Sequence, residues 1–535
     1  MTESLPHLVL GPLSAADADL PAVTDTTDGR TVTFGELRAL VDAAATEITA
    51  RLAETDTGTG TDTRTRPVVG LNAPNGLPFI VGFFASLAAG AAVTPLGAQA
   101  SRAEIAGQLN RVDARLLLTT TDAGRAAAGD LHIAALDPAQ LTAATAASQP
   151  TATTAHGAET ATGCDEASAI EGAACLPFSS GTTGTPKPVV LTHANLVANV
   201  RQMSAALDAC GMRRDWPIAA PLPFAHVYGL TVLMCTTLYR RNHLVVLDGF
   251  DPATFLRLHQ QHNVAWSYVA PAILARLAAD GVPEGVDLSA LRVVLSGADT
   301  LSAELAARAA GVLGCEVIQG YGLTEAAPVT HVNVRGVDDP ATLGTPVEDT
   351  DVRVMRAGHE VLSPGEAGEM WVRGPQVTCG YLGMPEATAE ALVDGWLRTG
   401  DVVRLGAGSV RAGRMTGRDL TVIGRAKEII NHNGFSVSPA EVEERLRAHP
   451  MLADAAVAAW RRPGRGEAPR AVVVLADAAS HPAGAELSAR LRDWVGAELA
   501  DYKVPVRFDV ADAVPRTATG KVARTRLSEG WDSEG

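Results

Sequence analysis

One short stretch of this chain concentrates the residue types that hold an anion. Ser179-Ser180-Gly181-Thr182-Thr183-Gly184-Thr185-Pro186-Lys187 packs five hydroxyls, two glycines and a lysine into nine positions. An apolar run, Leu176-Pro-Phe178, precedes it and Val189-Val-Leu191 follows. Glycines let the backbone fold round an anion without Cβ clashes, so that N–H groups point inward. The hydroxyls add donors and Lys187 adds a positive charge for outer phosphates. This is not a Walker loop, because no Gly-Lys-Ser/Thr ends it. Read alone, the stretch is either a phosphate cradle or a polar turn between two strands.

The elements that must position this loop are legible from apolar spacing. Residues 31–52 suit an amphipathic helix, with Thr33 as cap and Leu37, Leu40, Val41, Ala44 and Ile48 at helical intervals. Pro67–Leu71 reads as a buried strand, and Leu77–Val93 as a buried helix. The runs Arg115–Thr119 and Leu244–Leu247 read as strands, alternating with helical patterns at Ala253–Gln261 and Leu301–Leu313. Strands alternating with helices imply α/β architecture with covered sheet faces. Thr55–Thr65 and Thr142–Ser168 have loop or linker composition. From Gly365 the texture changes to short Gly-punctuated strands (Glu369–Arg373, Val402–Arg404). A smaller unit follows, with a helix near Pro439–Ala448 and strands at Ala455–Ala459 and Ala471–Leu475. The expected domains are therefore residues 1–424 and 425–535.

Composition limits the function classes. The chain has 535 residues, 47% of them hydrophobic, which is ample for a sizeable core and excludes disorder throughout. A net charge of −16 argues against nucleic acid or an anionic membrane as partner. The six cysteines lie 11 or more residues apart, without CxxC pairs, so neither a zinc knuckle nor a disulfide framework is expected. The start Met1-Thr2-Glu3-Ser4 lacks a secretory signal, and Pro78, Gly82 and Gly90 interrupt the most apolar stretch. A cytoplasmic protein is expected.

Taken with four further motifs, the loop resembles that of the adenylate-forming superfamily: acyl- and aryl-CoA synthetases, luciferases and adenylation domains. The texture is most similar to the 4-coumarate:CoA ligase-like branch. The other motifs are Gln319-Gly320-Tyr321-Gly322-Leu323-Thr324-Glu325, Gly395-Trp-Leu-Arg-Thr-Gly-Asp401, Gly424-Arg425-Ala-Lys427-Glu428 and Pro515-Arg-Thr-Ala-Thr-Gly-Lys521. They occur in the family's order from about Thr31 to Leu527. The resemblance implies a large N-terminal domain of helix-covered sheet subdomains and a small, mobile α+β C-terminal domain. It implies that a carboxylate attacks the α-phosphate of Mg·ATP, giving acyl-adenylate and pyrophosphate. Rotation of the C-terminal domain would then let a thiol displace AMP.

Residue by residue, the resemblance and the side-chain chemistry assign these roles. Ser179–Lys187 would cradle phosphates, while Tyr321 stacks on adenine beside Gln319 and Gly320. Thr324 would donate to the α-phosphate, and Glu325 would give Mg²⁺ a hard oxygen ligand. Without the other motifs, Thr324 and Glu325 read as a helix cap and its first turn. Asp401 suits the ribose hydroxyls, Arg425 the ribose or a phosphate, and Lys427 the hinge. Lys521 would stabilise charge on the carboxylate and α-phosphate during adenylation. The acid would sit against His226 and Tyr228 of Pro221–Gly229, with Gly297, Ala298 and Gly322. For His226 the alternative is a core histidine. The segment Pro221–Gly229 lacks the aspartate that amino-acid-activating domains use for an α-ammonium group, which disfavours an α-amino acid, and Tyr228 with the loop Ser296-Gly297-Ala298 suggests an aryl or medium-chain acyl group.

Four departures from the family pattern stand out. Pro188 replaces glycine after the loop lysine, stiffening the turn and removing a donor. Asp299-Thr300 stands where Ala-Pro is typical; Asp299 could accept from the adenine amino group or from a polar substrate group, or be a solvated loop residue. Gly424 replaces a frequent aspartate, with little expected consequence. In Asn431-His432-Asn433-Gly434-Phe435-Ser436, asparagines occupy both positions where the branch carries lysines near CoA phosphates. Gly434 and Phe435 still suit a pantetheine tunnel, and losing exposed ion pairs costs only ~0.2–1 kcal/mol each. CoA is thus the leading acceptor, followed by a carrier-protein phosphopantetheine, then another nucleophile as in amide-forming or nitrite-activating relatives. A non-catalytic module would predict damage at Lys187, Glu325, Asp401 or Lys521, and all four are intact.

Overall fold

The structure, a computed structural model, describes residues 3–55, 66–143, 172–179, 186–247, 249–426, 428–432, 435–462, 466–477, 484–516 and 522–532. Two sheets with parallel centres dominate the N-terminal part. The larger has nine strands. Its central parallel run places Ile218–Ala220, Trp266–Val269, Val293–Ser296 and Glu316–Gly322 side by side. The second has six strands and is built on Val68–Asn72, flanked in parallel by Ala92–Leu96 and Ala114–Thr119. Its strand Ala173–Cys175 leads directly to the start of the glycine-hydroxyl loop.

Helices Phe34–Thr55, Leu77–Ala88 and His193–Ala209, with the π-helical Tyr228–Thr236, share one apolar core with both sheets. Phe79, Phe83, Phe84, Phe224 and Trp266 are fully buried in it. Truncating a core aromatic of this kind costs ~3–5 kcal/mol. The first long helix starts as its sequence suggests. The Thr33 hydroxyl accepts from the Glu36 N–H at 3.2 Å, and the Glu36 carboxylate accepts from the Thr33 N–H at 2.8 Å. The apolar stretch Leu77–Val93 divides, however. Its helix ends at Ala88, Gly90 turns the chain with φ +82°, and Ala92–Leu96 is a strand. Both pieces are buried, so apolar content alone does not separate them.

A third, antiparallel sheet runs from Asp351 to Arg425 and includes Ala367–Arg373, Trp396–Leu405 and Leu420–Arg425. The small C-terminal domain follows. It comprises the hairpin Ile430–His432/Phe435–Val437 and a sheet of Leu452–Arg462, Gly466–Leu475 and Arg507–Val510, packed by helices Pro439–Arg447, Ala485–Gly496 and Arg524–Asp532. Among the described residues no helix is long and apolar enough to cross a membrane. The loop composition read at Thr55–Thr65 and Thr142–Ser168 falls almost wholly outside the described residues.

Candidate active site

The register of the nine-stranded sheet explains why distant motifs meet. Val269 pairs with Ser296 and Ser296 with Gln319, so Trp266–Val269 and Val293–Ser296 end level with one another, while Glu316–Gly322 runs three residues further. Beyond that level the chain carries Pro221–Gly229, Gly297–Thr300 and Gly320–Glu325. Ligands of open α/β sheets bind in the crevice beyond such ends.

Two side-chain clusters lie there. In the first, the Tyr321 hydroxyl donates to Asp401 Oδ2 at 2.6 Å, and Arg425 Nε lies 3.3 Å from Asp401 Oδ1. Burial, then the Asp401 charge, pushes the Tyr321 hydroxyl well above its ordinary pKa, so it stays a donor. Burial works against the Arg425 charge, but Asp401, Glu428, Tyr321 and Glu325 outweigh it and raise the guanidinium's pKa. Asp401 lies inside the ten-residue strand Trp396–Leu405, where residues 399–401 bulge opposite Met370. Gly400 has φ +71°, and the Thr399 hydroxyl accepts from the Asp401 N–H at 3.1 Å.

In the second cluster the Tyr381 hydroxyl donates to Glu325 Oε1 at 2.9 Å, and the Lys187 ammonium lies 5.0 Å from the centroid of the same ring. Thr324–Ala326 form a 3₁₀ turn rather than the start of a longer helix, and the short strand Phe178–Ser179 packs against it. Ser179 pairs with Lys187 across the base of the loop, and Pro188 with Phe178. The Pro188 carbonyl accepts from the Leu382 N–H at 2.9 Å. Gly322 is obligatory, since a Cβ there would stand 2.1 Å from the Pro328 carbonyl oxygen.

Other expected site residues divide. Tyr228 is buried; its hydroxyl donates to the Leu295 carbonyl at 3.2 Å, and a Cβ on Gly297 would sit 2.9 Å from its ring. His226 is exposed at the start of the π-helical segment rather than a core histidine. Ala298 is exposed with φ +73°, and exposed Asp299 accepts from the Thr300 N–H at 2.8 Å. A Cβ on Gly320 would meet Leu295 Cδ2 at 3.2 Å. The Gln319 side chain is a strut. It is buried, its oxygen accepts from the Leu301 N–H at 3.0 Å, and its nitrogen donates to the Thr342 carbonyl at 2.9 Å. Gly424 matters more than its sequence context suggests. Its φ is +149°, and a Cβ would meet Ile429 Cδ1 at 3.2 Å and Ser438 Oγ at 3.3 Å.

Ser180, Gly181, Thr182, Thr183, Gly184, Lys427, Gly434 and Lys521 lie outside the described residues, as does the side chain of Phe435. Sequence reading missed Tyr381; its one local signal is an aromatic between Gly380 and Gly383. A cavity of about 640 Å³ in the C-terminal domain, lined by His432, Arg492 and Asp501 among others, holds none of the motif residues of either cluster.

Fold and site together define an adenylate-forming enzyme with a large and a small domain. The chain belongs to the AMP-binding enzyme family: the family's pattern matches residues 14–382, and that of its C-terminal domain residues 441–521. It is 30% identical to a 4-coumarate–CoA ligase of Pinus taeda over 95% of this chain and 92% of that one. It is 37% identical to a long-chain-fatty-acid–CoA ligase of Bacillus subtilis (strain 168) over 66% of this chain, spanning 61% of that protein's length. Among solved structures, ATP-bound MatB from Rhodopseudomonas palustris superposes with a TM-score of 0.83 at 25% identity, covering both chains fully (100%). The amide bond synthetase McbA from Marinactinospora thermotolerans superposes with 0.78 at 27% identity, over 98% of this chain and 99% of that one.

Proposed function

We propose that this chain is an ATP-dependent, AMP-forming ligase that activates an aryl or medium-chain carboxylic acid and transfers it to the thiol of CoA. One observation carries the reading. Lys187, Tyr321 with Glu325, Asp401 and Arg425 come from four separate motifs, yet form two adjoining clusters at one edge of the sheet. In the proposed reaction the acid's carboxylate oxygen attacks the α-phosphorus of ATP. A mixed anhydride forms, the bond to the β-phosphate breaks, and pyrophosphate leaves. The thiol sulfur then attacks the acyl carbon and AMP departs.

In this reading Lys187 and the loop from Ser179 hold the outer phosphates. Thr324 donates to the α-phosphate, Asp401 takes the ribose diol, Tyr321 lies along adenine, and Arg425 neutralises charge beside them. His226, Tyr228, Gly297, Ala298 and Gly322 bound the acid. Glu325 is suited to Mg²⁺. Among the described residues no three His, Cys, Asp or Glu side chains gather to hold a metal alone. One carboxylate shared with substrate phosphates is, however, the usual way Mg²⁺ is held. When bound there, the ion would offset charge on the departing pyrophosphate. We place the domain boundary at about residue 425, where the strand Leu420–Arg425 closes the third sheet, and the hinge at Lys427.

The second reading keeps the adenylate but changes the acceptor to a carrier-protein phosphopantetheine or another nucleophile, as in amide-forming or nitrite-activating enzymes. Asparagine at 431 and 433 and the likeness to an amide bond synthetase favour it. Neither reading calls for nucleic acid or a membrane, and a cytoplasmic enzyme suits both. The deciding experiment incubates the protein with Mg·ATP and a panel of aryl and C2–C12 acids, with and without CoA, and reads products by mass spectrometry. Acyl-CoA with AMP supports the first reading. Acyl-AMP that accumulates and ignores CoA supports the second, and no acyl-AMP with any acid refutes both. Lys521→Ala should slow adenylate formation ~10²–10³-fold and spare the second step from preformed adenylate. Equal loss in both steps refutes that role.

A further inference from the structure

Resting on the reading of Glu325 as the metal's carboxylate, we infer that Tyr381 is a positioning residue that keeps Lys187 and Glu325 apart and aims Glu325 at a nucleotide-bound Mg²⁺. Two opposite charges meet one phenol. Glu325 is held at the hydroxyl, 2.9 Å away, and the Lys187 ammonium lies 5.0 Å from the ring centroid. No ion pair joins Lys187 to Glu325 among the described residues. Such a pair would consume both the phosphate-binding cation and the metal-binding carboxylate before ATP arrives. With Oε1 tied to Tyr381, the other Glu325 oxygen is left to serve a cation.

The phenol is itself fixed from behind. The Tyr381 N–H donates to Thr388 Oγ1 at 3.0 Å, and Gly380 has φ +142° with no room for a Cβ, which would stand 2.4 Å from Thr388 Cγ2. Residues 378–382 also stitch the two partners' backbones together. The Thr378 N–H donates to the Glu325 carbonyl at 2.8 Å, and the Thr378 hydroxyl to the Val190 carbonyl at 2.6 Å. The Val190 N–H donates to the Gly380 carbonyl at 2.9 Å. None of these bonds uses the phenolic hydroxyl, whose separate contribution is the orientation of Glu325. A side-chain bond to a charged group is the stronger kind.

The test is calorimetric titration of ATP into the full chain at several free Mg²⁺ concentrations, which requires no knowledge of the acid. Tyr381→Phe keeps the ring over Lys187 and removes only the hydroxyl. We expect the Mg²⁺ concentration that half-maximally tightens ATP binding to rise ~5–20-fold, with Mg²⁺-free ATP affinity within about 2-fold of wild type. Tyr381→Leu also removes the ring, so Mg²⁺-free affinity should fall by a further ~2–10-fold as Lys187 turns to Glu325. Identical Mg²⁺ curves for wild type and Tyr381→Phe overturn the inference, provided Glu325→Gln shifts the curve. A flat response in Glu325→Gln overturns the metal reading of Glu325, and the inference with it. Absence of ATP binding to the wild-type chain overturns the proposed function itself.

Discussion

Replacing Asp401 with asparagine tests the ribose assignment by chemistry rather than by loss alone. Asp401 is buried at 7% exposure and already accepts from Tyr321 at 2.6 Å and faces Arg425 Nε at 3.3 Å. A carboxylate has about four lone-pair sites, so roughly two remain for a ribose diol. Two unopposed charge-assisted bonds would give ~3–6 kcal/mol. The diol must leave water and share Asp401 with its present partners, so one bond's worth, ~1.5–3 kcal/mol, is the expected net. At 1.4 kcal/mol per tenfold, wild type should prefer ATP over 2′,3′-dideoxy-ATP by ~10–150-fold. The substituted amide keeps the shape and still accepts the Tyr321 proton, but loses the charge. Arg425 is 40% exposed, so breaking its ion pair should cost the fold only ~0–1 kcal/mol. Calorimetry with both nucleotides on both proteins completes the cycle. In Asp401→Asn the preference should fall to ~3-fold or less, through loss of ATP affinity with dideoxy-ATP little changed. An undiminished preference refutes the ribose role and leaves Tyr321, Asp401 and Arg425 as a purely structural trio.

Two further outcomes concern stability. Arg524 bonds both oxygens of Glu443, at 2.9 and 2.7 Å, and Glu428 at 2.8 Å, while burial pushes the Glu443 pKa up against the pull of Arg524 and Arg447. Arg524→Met should destabilise the C-terminal domain by ~3–5 kcal/mol in urea unfolding and Glu443→Gln should restore part of it; a loss under ~1 kcal/mol refutes this. His193, His259 and His331 are buried, and burial lowers their pKa values to about 3, about 4 and about 4. The unfolded chain therefore takes up their protons first as pH falls below ~6.5, and stability is lost from there down to the native values, by up to ~2 kcal/mol per histidine at pH 5. His331, whose Nε2–H faces the Gly417 carbonyl at 3.1 Å, offers the check: His331→Gln should flatten the pH slope of the urea midpoint between 7.5 and 5, and an unchanged slope refutes it.

Much of the molecule was legible residue by residue. The runs at Leu244–Val246 and Ala114–Thr119 are strands because β-branched and aliphatic residues fill a doubly covered sheet. Helix Ala303–Leu313 starts where the Ser302 hydroxyl caps Leu305. The glycine-hydroxyl loop and the Tyr321–Glu325 motif are each ambiguous alone, and only their occurrence in order with the other motifs points to the family. Where local pattern is silent the reading fell short, as at Leu77–Val93, which hid a helix-to-strand break. That both ends of the Gln319 amide are engaged by backbone is likewise visible only in the fold.

The sequence by itself determined which side chains exist, in what order, and therefore the family and the adenylating chemistry expected of it. The tertiary structure decided which of them touch. Tyr381 lies 56 residues from Glu325 and 194 from Lys187, and Asp401 lies 80 from Tyr321. Such contacts depend on strand order and register, fixed by hydrogen-bond ladders and core burial spread over the whole chain. A bulge at residues 399–401, Gly424 at φ +149° and the pairing of Ser296 with Gln319 bring residues of separate motifs together. None of these leaves a mark on composition or period, because each is a relation between segments.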